Sequence, residues 1–431
     1  MLRLRGLLLQ IKLFPTSIIS LAAILTVGCG GGSAGTSNLA TIQIAPTGEN
    51  LTYAKVASSA PGSVYYVILD RPGGRIIRPV QYSGSSNDAS GKVFWFTIQG
   101  QPVGEGDSGS LVMDSKGNTV GALAFGFGGN YTNFGVTSIE DELSILNSGP
   151  STTRNTAKKF TAQKDGLAHI MRGVSPYLWG IMSKDTRNPI SKIFTLESSP
   201  APKSASKSAP KAADLSGTMF SKTVFMLSSY GDAVSAYTYG TVTVPAQGKY
   251  LCFGHPLNWE GGGQDIPCVL GTVTNFIIDP AGGNFKLGFP DVTKSVGTLV
   301  ADRRFGVVVD PSVTATPIPV DGTVTLNANS PVTFHGKVAR DPSLETSMVL
   351  TNVVQGTANI IDAVDIAGSS TGSATLTFDD GSTQNVDLAD SSSSYLLSDL
   401  YNSVGSVLFS SSGGIPPRIT SITFNIQITT N

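Results

Sequence analysis

Charged side chains are scarce in this sequence of 431 residues: Asp, Glu, Lys and Arg together make up 14%, and the formal net charge is −1. A globular chain normally carries about a quarter charged residues, and the absence of a basic excess argues against a surface that binds nucleic acid. Histidine and cysteine occur three times each. Neither shows a His-x-x-His or Cys-x-x-Cys spacing, so the sequence implies no metal site and no cofactor.

Glycine is abundant, with 49 residues, and it separates short runs of β-branched and aromatic residues. Such runs predict β-strands, and examples are SVYYVILD, GRIIRPVQYS, KVFWFTIQG, TVFMLSSYG and NFKLGF. In the C-terminal part, SLETSMVLTNVVQGT and SYLLSDLYNSVGSVLF predict helices. We therefore expect a mainly β protein with room for two or three domains.

The N-terminus predicts export. Basic residues precede an apolar stretch that is shorter than the ~20 residues of a membrane-spanning helix, so residues 1–28 are interpreted as a signal peptide. The TVGC stretch resembles a bacterial lipoprotein box, and we expect a lipid on Cys29 followed by a flexible tether at 29–45. The expected location is the bacterial cell envelope, as a periplasmic or outer-surface lipoprotein. An ordinary signal peptide cleaved nearby is the alternative.

The remaining cysteines form an even pair in a chain that is expected to be exported. A disulfide bond between Cys252 and Cys268 would close a short loop and stabilise the fold by roughly 3 kcal/mol. We therefore expect this disulfide, and two buried free thiols are the alternative.

A candidate nucleophile lies in the stretch VGEGDSGSLV at 103–112, which places Ser108 between glycines in a polar turn. A turn of this kind presents the hydroxyl and lets a substrate approach the backbone. The amides of Gly106 and Ser108 would then point the same way, as the donors of an oxyanion hole. An ordinary Gly/Ser hairpin is the alternative.

The stretch Gly106-Asp107-Ser108-Gly109 closely resembles the Gly-Asp-Ser-Gly signature of trypsin-like peptidases. The resemblance continues through SLVMDSKGNTVGALAFGFGG and TSIEDELSIL, which are similar to a strand, a turn, a returning strand and a closing helix of that family. It implies a β-barrel that carries the serine, with a histidine as its base. All three histidines follow Ser108 in the sequence, so the usual chain order of His, Asp and Ser does not hold.

His255 is the preferred base, because it lies between Gly254 and Pro256 in LCFGHPLNWEGGG, a context typical of a loop. This stretch resembles the histidine element of SpoIVB-type serine peptidases, and the likeness extends through NFKLGF and KSVGTLVADRRFGVVVD. The resemblance implies that His255 is the general base for Ser108. In that family the histidine element precedes the serine element, so the resemblance also implies a circular permutation.

These patterns predict two trypsin-like β-barrels in permuted order, followed by a C-terminal β-sandwich-like region with one or two helices. The alternation of Pro, Ala, Ser and Lys at 198–214 is typical of a solvated linker. We expect the serine-bearing barrel at 46–150, a partly helical connecting segment at 151–197, the histidine-bearing barrel at 215–325 and the C-terminal domain at 326–431.

The acid of a catalytic triad is less well defined. Asp302, in VADRRFG, is preferred because the resemblance implies an acid at a strand end of the histidine-bearing barrel. Asp265, Asp88 and a Ser–His pair without a carboxylate remain open. By the same resemblance, Asp107 is structural.

The expected function is that of an exported serine endopeptidase, which acts on protein or peptide substrates through an acyl-enzyme formed on Ser108 with His255 as base. No nucleic acid partner is expected, and membrane contact would come from the lipid on Cys29. The alternative is an inactive peptidase-like lipoprotein with a binding or structural role, because fold does not imply activity. Of the other histidines, His169 is expected to pack against or cap a short helix, and His335 to face solvent on a strand.

Overall fold

A computed structural model of the chain describes residues 46, 48–88, 91–127, 132–147, 168–197, 211–212, 219–257, 261–278, 283–341, 343–362, 367–393, 395–410 and 419–430. The predicted signal peptide, Cys29 and the tether lie outside these residues. Within them, no helix combines the length and the apolar character needed to cross a membrane. The protein is mainly β, as predicted. Among the described residues, six strands form a closed barrel, and a 14-stranded sheet contains both a second ring of six strands and the strands of the C-terminal region.

The serine-bearing barrel is a closed antiparallel barrel of six strands in the order β1-β2-β3-β6-β5-β4. The strands are β1 (Val64–Arg71), β2 (Gly74–Asp88), β3 (Gly91–Ile98), β4 (Leu111–Met113), β5 (Thr119–Phe127) and β6 (Asn133–Ser138). In β3, Phe94, Phe96 and Ile98 are buried on alternate positions, because successive side chains of a strand point to opposite faces. Helix α1 (Tyr53–Ala57) precedes the barrel and α2 (Ile139–Ser144) follows it.

The connecting segment is partly helical, with β7 (Ala168–Arg172), α3 (Pro176–Lys184), α4 (Ile190–Ile193) and β8 (Thr195–Glu197). Helix α3 begins after Ser175, whose hydroxyl accepts a hydrogen bond from the amide of Leu178. Its apolar side chains pack into the core of the C-terminal region. Of the predicted linker, β9 (Lys211–Ala212) is described, and it pairs in parallel with the histidine-bearing barrel, so these two residues belong to a sheet.

The histidine-bearing barrel also has six strands: β10 (Thr223–Gly231), β11 (Ser235–Ala246), β12 (Lys249–Cys252), β13 (Gly261–Ile277), β14 (Phe285–Arg303) and β15 (Gly306–Asp310). Within this set each strand pairs with two others, so that the antiparallel ring β10-β11-β12-β15-β14-β13 closes on β10. The serine-bearing barrel has the same order of first, second, third, sixth, fifth and fourth strand. The two barrels therefore share one topology.

The predicted disulfide bond is not formed, because Cys252 and Cys268 are both free thiols. They belong to β12 and β13, which are not neighbours in the barrel, and both side chains pack in its apolar core. Burial raises the pKa of Cys252, and it raises the pKa of Cys268 to about 12. The two side chains thus act as small apolar core residues.

The C-terminal region has one sheet in the strand order β17-β16-β20-β18-β19, which continues the second barrel through the pairing of β17 with β10. Its elements are β16 (Ile318–Leu326), β17 (Val332–Val338), α5 (Glu345–Ile361), β18 (Gly368–Phe378), β19 (Thr383–Ser393), α6 (Leu396–Ser410) and β20 (Ile419–Thr430). Both predicted helices are present, and they pack with the sheet in one apolar core. Strand β17 alternates buried Phe334 and Val338 with exposed His335 and Lys337, so its other face is in water.

Candidate active site

Ser108 and His255 meet between the two barrels. The Nε2 atom of His255 lies 3.0 Å from the Oγ atom of Ser108. Ser108 precedes β4 of the first barrel and His255 follows β12 of the second, so the packing of the barrels brings the two side chains together. Ser108 is 0% and His255 4% exposed. The distance between the two atoms suits proton transfer from the hydroxyl to the imidazole.

The contact of the other ring nitrogen of His255 determines the tautomer of the imidazole. Its Nδ1 atom lies 2.7 Å from the carbonyl oxygen of Pro256. Because a carbonyl oxygen only accepts hydrogen bonds, Nδ1 carries the hydrogen in this contact. The neutral ring then has its lone pair on Nε2, which faces Ser108, so His255 is oriented as a base.

The loop that carries this imidazole is fixed by both barrels. Phe253 and Gly254 have positive φ angles of 75° and 69°, which turn the chain sharply before the histidine. The amide of Phe253 donates to the carbonyl of Thr241 at 3.1 Å, and the carbonyl of Gly254 accepts from the hydroxyl of Thr137 at 2.6 Å. A Cβ atom at position 254 would lie 2.7 Å from Cβ of Ala122 in the first barrel, so this close approach requires glycine.

Thr241 of β11 holds the serine turn from the second barrel. Its hydroxyl donates to the carbonyl of Gly106 at 3.2 Å, and its amide donates to the carbonyl of Ser108 at 2.7 Å. Gly109 lies against the same residue, with a φ of 91°, and a Cβ atom there would lie 1.9 Å from the carbonyl oxygen of Thr241. The glycine after the serine is therefore required by both its conformation and the neighbouring barrel.

The two peptide groups that contain the predicted oxyanion donors are also fixed. The carbonyl of Glu105 accepts from the amide of Lys286, and the carbonyl of Asp107 accepts from the amide of Ser110, both at 2.9 Å. In a trans peptide the N–H group points away from the C=O group. These bonds therefore fix the directions of the amides of Gly106 and Ser108, which are the two predicted donors.

Asp107 is buried in an ion pair. Its carboxylate oxygens lie 2.6 Å and 2.8 Å from the two terminal nitrogens of Arg71, in a bidentate arrangement. The Nζ atom of Lys286 lies 3.6 Å from the same carboxylate, and the amide of Gly104 donates to it at 3.0 Å. These contacts fit the structural role that the family resemblance implies for this residue.

The preferred triad acid, Asp302, is buried at the end of β14 next to the histidine loop. Its Oδ1 atom accepts a hydrogen bond of 2.8 Å from the amide of Leu257, two residues after His255. Asp302 thus supports the loop that carries the imidazole. The alternative acid Asp265 is engaged elsewhere, since its carboxylate accepts from the amide of Thr316 at 3.0 Å.

The other two histidines lie away from Ser108. His169 lies in strand β7, where its Nδ1 atom is 2.8 Å from the hydroxyl of Thr238. Its ring packs edge-on against Phe194 at the end of the short helix α4, as one of the two predicted roles requires. His335 is exposed on β17, as predicted, with its Nδ1 atom 2.8 Å from the carboxylate of Asp321. Across the described part of the chain, no group of three or more His, Cys, Asp or Glu side chains is arranged to hold a metal ion.

Sequence reasoning missed Arg71, Lys286 and Thr241, which surround the serine turn. A signal was present for two of them, because each charged residue stands in an apolar strand, VYYVILDR or NFKLGF. Lys and Arg are almost never fully buried unless they are paired, so a cation in such a strand indicates a buried partner. Nothing in the sequence singles out Thr241.

Comparison of the chain with models of protein families finds no match, and comparison with curated proteins finds none either.

Proposed function

We propose that this protein is a serine endopeptidase that cleaves protein or peptide substrates through an acyl-enzyme. The observation that carries the proposal is the 3.0 Å contact between Nε2 of His255 and Oγ of Ser108. Two further features support it. The Nδ1 contact leaves Nε2 as the basic nitrogen, and hydrogen bonds from the second barrel fix the turn that presents the serine.

In the proposed reaction, His255 takes the proton of Ser108 as the hydroxyl oxygen attacks the carbonyl carbon of the substrate amide. The amides of Gly106 and Ser108 donate hydrogen bonds to the oxyanion that forms. The imidazolium then gives its proton to the leaving amine, and the carbon–nitrogen bond breaks to give an ester on Ser108. A water molecule, deprotonated by His255, hydrolyses the ester and restores both groups.

Asp302 has the third role in this proposal. It acts as a positioning residue, because its bond to the amide of Leu257 holds the histidine loop against β14. We expect Asp302→Ala to lower kcat, because the base would lose its fixed position.

We also propose that the protein is related to SpoIVB-type serine peptidases, with the order of the two barrels exchanged. We expect it in the bacterial cell envelope, as a lipoprotein anchored through Cys29. Metabolic labelling with a radioactive fatty acid, compared between the parent protein and Cys29→Ser, tests the anchor. Equal labelling of both would contradict it.

A fluorophosphonate probe tests the activity directly, since it reacts with an activated serine. The purified protein should be labelled, and the label should disappear in both Ser108→Ala and His255→Ala. Ser110→Ala is the matched control for the serine, because its buried hydroxyl has no hydrogen-bond partner among the described residues. His335→Ala is the control for the histidine, because that ring is exposed. Both controls should be labelled like the parent.

A second candidate function is a binding or structural module on an inactive peptidase-like scaffold. The observation that favours it is the near-complete burial of Ser108 and His255. In that case neither the probe nor peptide substrates would react with the parent protein. Labelling that depends on Ser108 would exclude this second function.

A further inference from the structure

We infer that Thr241 and Lys286, both in the histidine-bearing barrel, are positioning residues that set the oxyanion donors of the serine turn. This inference depends on the proposed function, because it concerns the same site. It assigns to the second barrel a contribution beyond the base. That barrel supplies His255, and it also holds the geometry of the turn on which Ser108 lies.

Main-chain hydrogen bonds connect the start of the serine turn to the start of β14. Glu105 and Phe285 form an isolated bridge: the amide of Glu105 donates to the carbonyl of Asn284 at 2.8 Å, and the amide of Lys286 donates to the carbonyl of Glu105 at 2.9 Å. Gly104 lies tightly against the same segment, since a Cβ atom there would be 2.5 Å from the carbonyl oxygen of Asn284. The start of the serine turn is therefore aligned by the second barrel.

The side chain of Lys286 is fully buried beneath the serine turn. Its Nζ atom donates to the hydroxyl oxygens of Thr223 at 2.9 Å and Thr241 at 3.3 Å, and it lies 3.6 Å from Oδ1 of Asp107. An ammonium group only donates hydrogen bonds. The hydroxyl of Thr241 therefore accepts from Lys286 and directs its own hydrogen to the carbonyl of Gly106, 3.2 Å away.

The charges around the Lys286 side chain are balanced. Arg71 and Lys286 are buried together with Asp70 and Asp107, so that two cations face two carboxylates. Arg71 forms the bidentate pair with Asp107, and Asp70 accepts from the amide of Thr223 at 2.9 Å. Burial lowers the pKa of Lys286, and the neighbouring carboxylates counteract this shift. Removal of one charge would leave an unbalanced buried charge next to Ser108.

Contacts therefore run from Lys286 through Thr241 to the carbonyls of Gly106 and Ser108, the two neighbours of Asp107. Thr241→Val removes only the hydroxyl, because its main-chain bond to Ser108 persists. The peptide between Gly106 and Asp107 then loses the bond at its carbonyl and keeps the bond from the amide of Asp107 to the carbonyl of Gly104 at 3.0 Å. Because this peptide connects the two that carry the donor amides, its displacement changes the alignment of both donors. Displacement of a catalytic group by about 1 Å typically lowers the rate on the order of 10²-fold.

The experiment measures kcat and KM for a peptide ester substrate in the full chain and in Thr241→Val, Thr241→Ser and Lys286→Met. We expect kcat to fall by roughly 10- to 100-fold in Thr241→Val with KM little changed, and to recover in Thr241→Ser, which keeps the hydroxyl. Lys286→Met should lower kcat at least as much. The pH dependence of kcat/KM on the low-pH side should be unchanged in Thr241→Val, because His255 is not altered.

The matched control is Thr238→Val on the same strand, whose hydroxyl contacts His169 instead of the serine turn; its kcat should equal that of the parent. Circular dichroism and urea unfolding verify that each variant is folded. If the parent is active and Thr241→Val keeps its full kcat, the positioning role is wrong although the proposed function stands. If Ser108-dependent activity is absent from the parent itself, the proposed function fails.

Discussion

Glu142 provides a test of the structure that does not depend on catalysis. It lies in helix α2 and is completely buried where that helix meets the second barrel. Its Oε1 atom accepts a hydrogen bond of 3.1 Å from the hydroxyl of Thr243, and its Oε2 atom has no hydrogen-bond partner within the described residues. Burial raises the pKa of this carboxyl well above its usual value. Cys252, a thiol with a raised pKa, is the nearby titratable group from β12.

The sign of the pH effect follows from this shift. Below pH ~4.5 the carboxyl is protonated in the folded and the unfolded chain, and its contribution to stability is fully present. As pH rises towards the folded pKa, the unfolded chain loses the proton first, so the free energy of unfolding decreases. The slope is about 1.4 kcal/mol per pH unit for one carboxyl group. Glu142→Gln removes this term, because the amide keeps the shape but cannot ionise.

The assay is urea unfolding at pH 5, 6, 7 and 8 for the parent and for Glu142→Gln. The variant should gain stability relative to the parent as pH rises, by about 2.7 kcal/mol between pH 5 and pH 7 if the folded carboxyl stays protonated across that interval. Glu140→Gln on the same helix is the control. A hydrogen bond from Lys92 lowers the pKa of Glu140, so its linkage to stability falls below pH ~4.5 and its profile should stay parallel to that of the parent from pH 5 to pH 8. Parallel pH profiles of the parent and Glu142→Gln would refute the burial of an uncharged Glu142.

Three further perturbations follow from the same structure. Arg71→Met should destabilise the protein by about 3–5 kcal/mol in urea unfolding, because it leaves Asp107 buried without its bidentate partner; an unchanged unfolding midpoint would contradict that pairing. Gly109→Ala should abolish fluorophosphonate labelling, since its Cβ would lie 1.9 Å from the carbonyl oxygen of Thr241, and full labelling would show that the barrels are not packed as described. The two buried thiols should react with a thiol reagent only after denaturation, and fast reaction of the native protein would show that the core around them is open.

Much of the fold was predictable from local patterns. Alternation of apolar and polar residues gave strands such as β3 and β17, and the apolar stripes of two C-terminal segments gave α5 and α6, because periodicity reflects which face is buried. The glycines around Ser108 indicated a tight turn, which positive φ angles at Gly106 and Gly109 confirm. The prediction of a disulfide bond between Cys252 and Cys268 was wrong, because it used only their separation along the chain. Spacing along the chain does not reveal that Cys252 and Cys268 lie on strands that are not neighbours.

The sequence alone determined the two residue types that chemistry requires, a serine in a glycine turn and a histidine in a loop of the second half, since each motif depends on conformations of a few adjacent residues. Only the tertiary structure decided that Nε2 of His255 lies 3.0 Å from Ser108, that Asp302 contacts the histidine loop, and that Thr241 and Lys286 hold the serine turn. These contacts join residues far apart in the chain. Their distances depend on how two closed barrels pack against each other, and no local pattern encodes that packing.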